Sequence, residues 1–416
     1  MTFHFRTLNF SMRLFIIIAI CLNFLFCGKK PVVTQQPLES TKSVDTKLEP
    51  KPLPTPIKTN PQQKTNEIVT NRNISLDDKI GQMILVGINN RKLLPVDDSL
   101  RKELKANKIG GIILFEKNIT NKASSDNLKK LIADMQAECS IPLFMAIDEE
   151  GGQVHRLREK YGFVSMPSAA YFGTISGIDT TTYYAERLAS QLYNLGFNVN
   201  FAPGIDIALN PNNPIIAKRG RSYSSDAEVV AKHALAFIKA HHKYNVKTTL
   251  KHYPGHGSSS SDTHKGLVDV TKQWQFKELN PYKKIIDSDH CDAVVSCHVI
   301  NCNLDKDCIP STLSRIITTE LLRDVLGFKG VVFSDDMQMA AISKNYGLKQ
   351  SVKMAINAGV DVLLFGNNVN STDRITASEI HAVVRKLVAD GEVSTARIDE
   401  SYNRIMELKK KTYQMR

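Results

Sequence analysis

The sequence predicts a single (β/α)8 barrel, and three observations carry that reading. From residue 75 onward, eight short apolar runs rich in β-branched residues alternate with longer amphipathic stretches. The runs are near-continuously apolar, as parallel strands covered on both faces require. Five of them end in, or carry close to their C-terminal ends, charged or imidazole side chains. In a TIM barrel the C-terminal strand ends and the loops after them build the functional site. A doubly wound open sheet is the alternative for the same alternation.

The strands are expected at 83–88 (MILVGI), 109–115 (IGGIILF), 142–148 (PLFMAID), 198–207 (NVNFAPGIDI), 246–252 (VKTTLKH), 292–300 (DAVVSCHVI), 330–335 (GVVFSD) and 360–366 (VDVLLFG). Helical patterns fill the intervals 122–139, 179–195, 225–243, 312–326 and 345–358, and a last helix is expected over 394–412. The polar strand ends are Asp148 on the third, Asp206 on the fourth, Lys251-His252 on the fifth, His298 on the sixth and Ser334-Asp335-Asp336 on the seventh.

Hydrophobic residues make up 42% of the chain and charged residues 23%, which excludes a polytopic membrane protein, a collagen-like fibre and a fully disordered chain. The net charge of the 416 residues is +12, but residues 1–73 hold ten basic and four acidic residues, half of that excess. The rest carries no basic stripe interleaved with aromatics, so nucleic-acid binding is not expected.

The N-terminal part reads as targeting sequence. Arg6 and Arg13 precede an apolar run from Leu14 to Phe26, too short for a comfortable membrane span and suited to a secretory signal. Cys27-Gly28-Lys29-Lys30 follows and resembles a bacterial lipoprotein processing site, although Phe26 stands where a small residue is usual. The other reading is an uncleaved signal anchor. Seven of the 16 prolines fall between Pro31 and Pro61, so residues 28–73 read as a disordered tether. The expected organisation is a signal at 1–27, a linker at 28–73 and one barrel domain at 74–416. A monomer is expected, exported and membrane-anchored, periplasmic or at the cell surface. Five cysteines remain in the globular part. Cys302 and Cys308 flank a polar loop and are a candidate pair, and no C-x-x-C pair supports a zinc ribbon.

The loop after the fifth strand, Lys251-His252-Tyr253-Pro254-Gly255-His256-Gly257 to Asp262-Thr263-His264, holds the densest chemistry. A metal site is disfavoured, because Pro254 and Gly255 break any helix that would align His252 with His256. An acid/base loop fits better. Asp262 and His264 are two apart, so the carboxylate can hold one ring nitrogen and stabilise the imidazolium. Gly255, Gly257 and four serines would let the loop move over a substrate. Asp335 is then a candidate nucleophile from across the barrel. A carboxylate nucleophile with a separate acid/base is the equipment of a retaining glycosidase.

These residues resemble a known family. K-H-Y-P-G-H-G followed by D-T-H (251–264) is similar to the signature of glycoside hydrolase family 3, in its bacterial β-N-acetylglucosaminidase (β-N-acetylhexosaminidase) branch. Asp148-Glu149-Glu150-Gly151-Gly152-Gln153-Val154-His155-Arg156, Gly220-Arg221-Ser222-Tyr223 and the segment from Gly327 to Met339 resemble three further motifs of that family, in the same order. The resemblance spans residues 75–410, with Gln153 where Arg is common. It implies that Asp335 is the nucleophile and that Asp262 and His264 are the acid/base pair. It implies further that Asp148, Arg156, Arg221, Lys251 and His252 bind the sugar. Asp336 is set aside as nucleophile because consecutive strand residues point to opposite faces. His298 either lines the pocket or packs in its strand, and His256 reads as a loop brace.

The expected activity is hydrolysis, with retention, of terminal β-linked N-acetylglucosamine from peptidoglycan fragments or chitooligosaccharides, with no metal or organic cofactor. A phosphorylase on the same scaffold is the first rival, since a histidine acid/base does not repel phosphate. A non-catalytic glycan-binding lipoprotein is the second; intact Asp335, Asp262 and His264 argue against it. A β-glucosidase is the third, and its two-domain members generally take their acid/base from a C-terminal domain.

Overall fold

The computed structural model describes residues 74–413. The expected signal, Cys27 and the tether lie outside the described residues. Eight parallel strands form the centre: β1 (Ile84–Gly87), β2 (Gly111–Leu114), β3 (Phe144–Ile147), β4 (Val199–Asn200), β5 (Lys247–Tyr253), β6 (Ala293–Ser296), β7 (Val331–Ser334) and β8 (Leu363–Phe365). Their spatial order is β8-β1-β2-β3-β4-β5-β6-β7, and a parallel bridge from Phe333 to Val362 brings β7 against the start of β8. The result is a (β/α)8 barrel, nearly closed, with helices around it. All eight expected strands are present. The expected helix over 179–195 matches Asp179–Leu195, and those near 122–139, 225–243, 345–358 and 394–412 differ only at their ends.

Three segments depart from expectation, each for a local reason. The run 198–207 forms a regular strand only at Val199–Asn200; Pro203 has no N–H for a ladder, and past it one isolated parallel bridge joins Gly204 to Lys251. The run 292–300 breaks after Ser296, where the chain turns at Cys297 and His298. It resumes as Val299–Ile300, paired with Val268–Asp269 outside the barrel. The helix expected from 312 begins at Ile316 and has π-helical pairing. Ahead of it Ser311–Leu313 makes a 3-10 turn, and the Ser314 hydroxyl accepts from the Ile317 N–H.

Helix ends follow their signals. Ser75 and Asp78 form a capping box at the start of Leu76–Gln82, and Thr376 and Glu379 form another ahead of Ala377–Ala389. Gly196 and Gly359 close their helices at φ 97° and 111°.

The barrel interior is filled by aromatic rings. Phe333 on β7 meets Phe144 on β3 at 5.8 Å and Phe201 beyond β4 at 5.2 Å. Strands three and seven lie opposite one another in an eight-strand ring, so rings that touch must point inward. Below them Lys409 from the last helix, Thr395–Tyr413, is buried. Its Nζ donates to Gln82 Oε1 (2.5 Å) and the Gly110 carbonyl (2.8 Å), and lies 4.7 Å from the Phe144 ring. Above the rings the barrel opens at its C-terminal face.

Candidate active site

A cavity of about 560 Å³ opens at that face. Ile113, Phe201, Val295 and Leu364 from four strands or strand ends make its apolar floor. Asp148, Arg156, Arg221, Lys251, His252, His264 and Asp335 all line it. Of the catalytic and sugar-binding residues that the resemblance implies, only Asp262 is outside the lining, and it is bonded to His264, which is inside.

One wall is a closed network of charges. After β3, Asp148 and Glu150 face the cavity, while Glu149 between them turns inward. Glu149 accepts from the backbone N–H groups of Arg156 and Leu157, both at 2.7 Å, and lies 2.5 Å from His155 Nδ1. Lys251, at the end of β5, bridges Asp148 Oδ1 (2.9 Å) and Glu150 Oε1 (2.7 Å). Arg221 reaches Glu150 with two parallel bonds, Nε to Oε2 at 2.8 Å and Nη2 to Oε1 at 2.7 Å. Burial alone would raise the Asp148 carboxyl; the Lys251 ammonium and the Arg156 guanidinium outweigh it and hold it below its ordinary value. Burial opposes ionisation of Glu150 in the same way, and Arg221 and Lys251 push it far below the usual range.

His252 is the hinge of this wall. Its Nδ1 lies 2.7 Å from Asp206 Oδ2, and its Nε2 is 3.0 Å from Arg221 Nη2. A guanidinium only donates, so Nε2 accepts and the proton sits on Nδ1, facing Asp206. Both ring nitrogens are therefore engaged. Arg156 differs. Its Nη2 donates to Asp148 Oδ2 (3.3 Å), but its buried Nε has no acceptor among the described residues.

Opposite stands Asp335, just past β7. Its N–H donates to the Ser296 carbonyl (2.9 Å), and its Oδ1 accepts the Asp336 N–H (2.8 Å). Burial opposes its charge. The imidazoles of His298, His252 and His264 more than compensate, bringing it down to about 2. It is an ionised carboxylate facing the cavity.

The argument from strand alternation that set Asp336 aside fails, because β7 ends at Ser334 and both aspartates line the cavity. What separates them is bonding. Asp336 Oδ1 accepts from the N–H groups of Gln338 (3.0 Å) and Gly366 (3.1 Å), and burial raises its carboxyl to about 6. His298 is fully buried and absent from the lining. Its Nε2 donates to the Asp336 carbonyl (3.1 Å) and its Nδ1 meets Thr312 Oγ1 (2.9 Å), so it braces the turn that carries both aspartates. His256 lines the cavity with its ring held by Ser259 Oγ at 2.6 Å, as a brace would be.

The loop after β5 has two parts. Residues 251–259 are buried throughout, whereas Ser260, Ser261, His264, Lys265 and Leu267 are exposed. Gly255 and Gly257 belong to the buried part, so the expectation that they free the loop to move is corrected. A Cβ on Gly257 would stand 1.8 Å from the Ile207 carbonyl oxygen, and one on Gly255 2.8 Å from Glu278 Cβ. Both glycines serve close packing. In the exposed part Asp262 Oδ1 accepts from the His264 N–H (2.9 Å) and lies 2.7 Å from its Nδ1. Burial of Asp262 is outweighed by these bonds and its carboxyl is lowered.

Sequence reasoning missed three functional neighbours. Glu150 was legible, because it follows Asp148 by two and such residues share a face when extended. Asp206 was noted as a strand end only. Glu278 left no local signal. Farther off, Cys302 and Cys308 are joined in a disulfide.

The profile of the glycosyl hydrolase family 3 N-terminal domain matches residues 75–408. The chain belongs to glycosyl hydrolase family 3. Among its relatives is the Beta-hexosaminidase A of Pseudoalteromonas piscicida, 33% identical over 321 residues, covering 73% of this chain and 53% of that protein. The Beta-hexosaminidase of Tolumonas auensis is 33% identical over 276 residues, 66% of this chain and 80% of the relative. A family 3 β-N-acetylglucosaminidase structure from Paenibacillus sp. superposes with a TM-score of 0.74 at 32% identity, covering 82% of this chain and 63% of that one. The β-N-acetylhexosaminidase of Beutenbergia cavernae gives 0.72 at 27% identity, over 81% and 99%. The match thus spans about half of the Pseudoalteromonas protein and nearly all of the Beutenbergia chain.

Proposed function

We propose that this family 3 protein is a retaining exo-β-N-acetylglucosaminidase acting on terminal β-linked N-acetylglucosamine in peptidoglycan fragments or chitooligosaccharides. The observation that carries the reading is the pairing, across one cavity, of an ionised carboxylate without a cationic side chain bonded to it, Asp335, with an exposed His264 oriented by Asp262. Asp335 attacks the anomeric carbon and forms a covalent glycosyl-enzyme. His264, with Nδ1–H held by Asp262, keeps Nε2 for the reaction: it protonates the departing oxygen, then takes a proton from the incoming water. The wall of Asp148, Arg156, Arg221, Lys251 and His252 holds the sugar. Asp148 offers carboxylate lone pairs to hydroxyls, and the Arg156 guanidinium, which also lines the cavity, offers N–H donors. Relatives named for hexosaminidase activity support the substrate class. The sequence features at Cys27 and 28–73 support a catalytic domain tethered to a membrane by lipid; acyl groups on Cys27 in the intact mass of membrane material test it.

The activity itself is tested with chromogenic β-glycosides, in phosphate and in non-phosphate buffer, with the released anomer followed by NMR. The expected result is preference for the β-N-acetylglucosaminide, β-anomer released first, and no dependence on phosphate. A sugar 1-phosphate as product, or glycan binding without turnover, overturns the reading.

A further inference from the structure

Glu278 lies in the turn Phe276–Leu279, just ahead of the helix Asn280–Asp287, and is 1% exposed. Its Oε2 accepts the backbone N–H of Gly257 (3.0 Å) and of Ser258 (3.3 Å). These are donors in the buried root of the acid/base loop. The acceptors of the same root are taken from the other side, where Asn213 Nδ2 lies 2.7 Å from the His256 carbonyl and 3.1 Å from Ser259 Oγ. Gly255, at φ 123°, leaves the space that the Glu278 side chain occupies. Beside it the Trp274 indole N–H donates to the Pro254 carbonyl (3.2 Å). The chain then passes Ser259, becomes exposed, and carries Asp262 and His264 with chiefly each other as partners.

We propose that Glu278 is a positioning residue for the acid/base pair. By holding two consecutive amides it fixes where the loop leaves the buried wall, and so where His264 meets the cavity. The proposal rests on the acid/base reading above. A merely structural carboxylate would sit anywhere in the core. This one ends on the backbone of the segment that leads directly into the pair. Burial pushes its carboxyl up to about 7, with Asp206 adding and the Ser258 amide opposing; the nearby Tyr282 and Cys297 are themselves raised by burial, which leaves them neutral. What the two amides meet is one acceptor oxygen, and glutamine supplies one.

The test compares Glu278→Ala, Glu278→Gln and His264→Ala on chitobiose, whose leaving group needs protonation, and on an activated aryl β-N-acetylglucosaminide, whose leaving group does not. Melting temperatures are recorded for each. In Glu278→Ala the chitobiose kcat should fall about 30- to 100-fold, while glycosylation by the aryl glycoside changes by less than about threefold. Glu278→Gln should recover most of the chitobiose rate. Equal losses on both substrates, or no recovery by Gln, overturn the proposal. Should Glu278→Ala not fold, Glu278→Asp decides: it retracts the acceptor by one methylene and should show the same substrate-selective loss. Selectivity in His264→Ala without it in the Glu278 variants refutes the positioning role alone. Its absence in His264→Ala refutes the acid/base reading instead.

Discussion

Lys251 and His264 belong to one strand and the loop that follows it, yet their side chains are 5% and 66% exposed. Lys251 sits among Asp148, Glu150 and Arg221, charges that neutralise one another in a buried wall. His264 has Asp262 and the solvent. On the proposed reading, the difference teaches how this barrel would divide binding from proton transfer. A surface that fixes a sugar ring must not move, and charged groups out of water stay put only when fully paired. A group that delivers a proton to a leaving group and later takes one from water needs access to both. Energy stored in the wall should therefore appear in stability when it is disturbed. Changes in the loop should appear in rates.

The strongest way to break this comparison is to remove the proposed nucleophile, which both regions face across the cavity. Asp335→Ala should lower kcat by about 10⁴-fold or more on every substrate, activated or not, because no nucleophile remains. Residual turnover within about a hundredfold of wild type would place the nucleophile elsewhere, with Asp336 the first suspect. Glu150→Ala sharpens the comparison from the wall. It leaves Arg221 and Lys251 facing each other without Glu150 between them, and loss of one partner in a buried ionic network costs about 3–5 kcal/mol. Chemical denaturation should show that loss; a change below about 1 kcal/mol would mean that Glu150 does not hold the wall together.

His264→Ala is the counterpart from the loop. Its exposed side chain supports no packing, so stability should change by less than about 0.5 kcal/mol. Turnover of chitobiose should fall about 10²- to 10³-fold, as loss of a general acid predicts. Activated aryl glycosides should suffer less in the first step and accumulate glycosyl-enzyme, visible by intact mass, as deglycosylation slows. Equal proportional losses without a trapped intermediate would make His264 a binding residue.

Much of this was legible in the sequence because both signals were periodic or contiguous. Eight apolar runs gave eight strands, and the polar residues at their ends converge since parallel strands all point one way. The motif segments placed Asp148, Arg156, Arg221, Lys251, His252, His264 and Asp335 around one cavity. Pairings between distant segments were not legible. Glu278 acts on backbone amides of another loop, which leave no trace in side-chain patterns, and Asp206 meets His252 across two strands. The glycines misled for a related reason: a sequence does not say whether glycine is there for freedom or for a neighbour's carbonyl. Asp336 misled because the alternation rule was carried past the strand's last residue.

That residue gives the smallest effect. Asp336 is buried next to ionised Asp335, and burial raises its carboxyl from 3.8 to about 6. The native state therefore holds a proton that the unfolded chain has released, across the interval from about 4 to about 6. The contribution of Asp336 to stability should be greatest below that interval and be lost as pH rises through it. Asparagine keeps the oxygen that accepts from the Gln338 and Gly366 amides but does not ionise. Asp336→Asn should consequently leave stability nearly unchanged at pH 4 and raise it by about 1–2 kcal/mol at pH 7. The comparison is made as the difference between variant and wild type at each pH, which cancels the titration of Asp148, Glu150 and Asp335, whose lowered carboxyls lose their contribution only in stronger acid. A difference that stays flat from pH 4 to pH 7 would mean that Asp336 is ionised throughout, and bonding to two amides would then no longer distinguish it from the proposed nucleophile beside it.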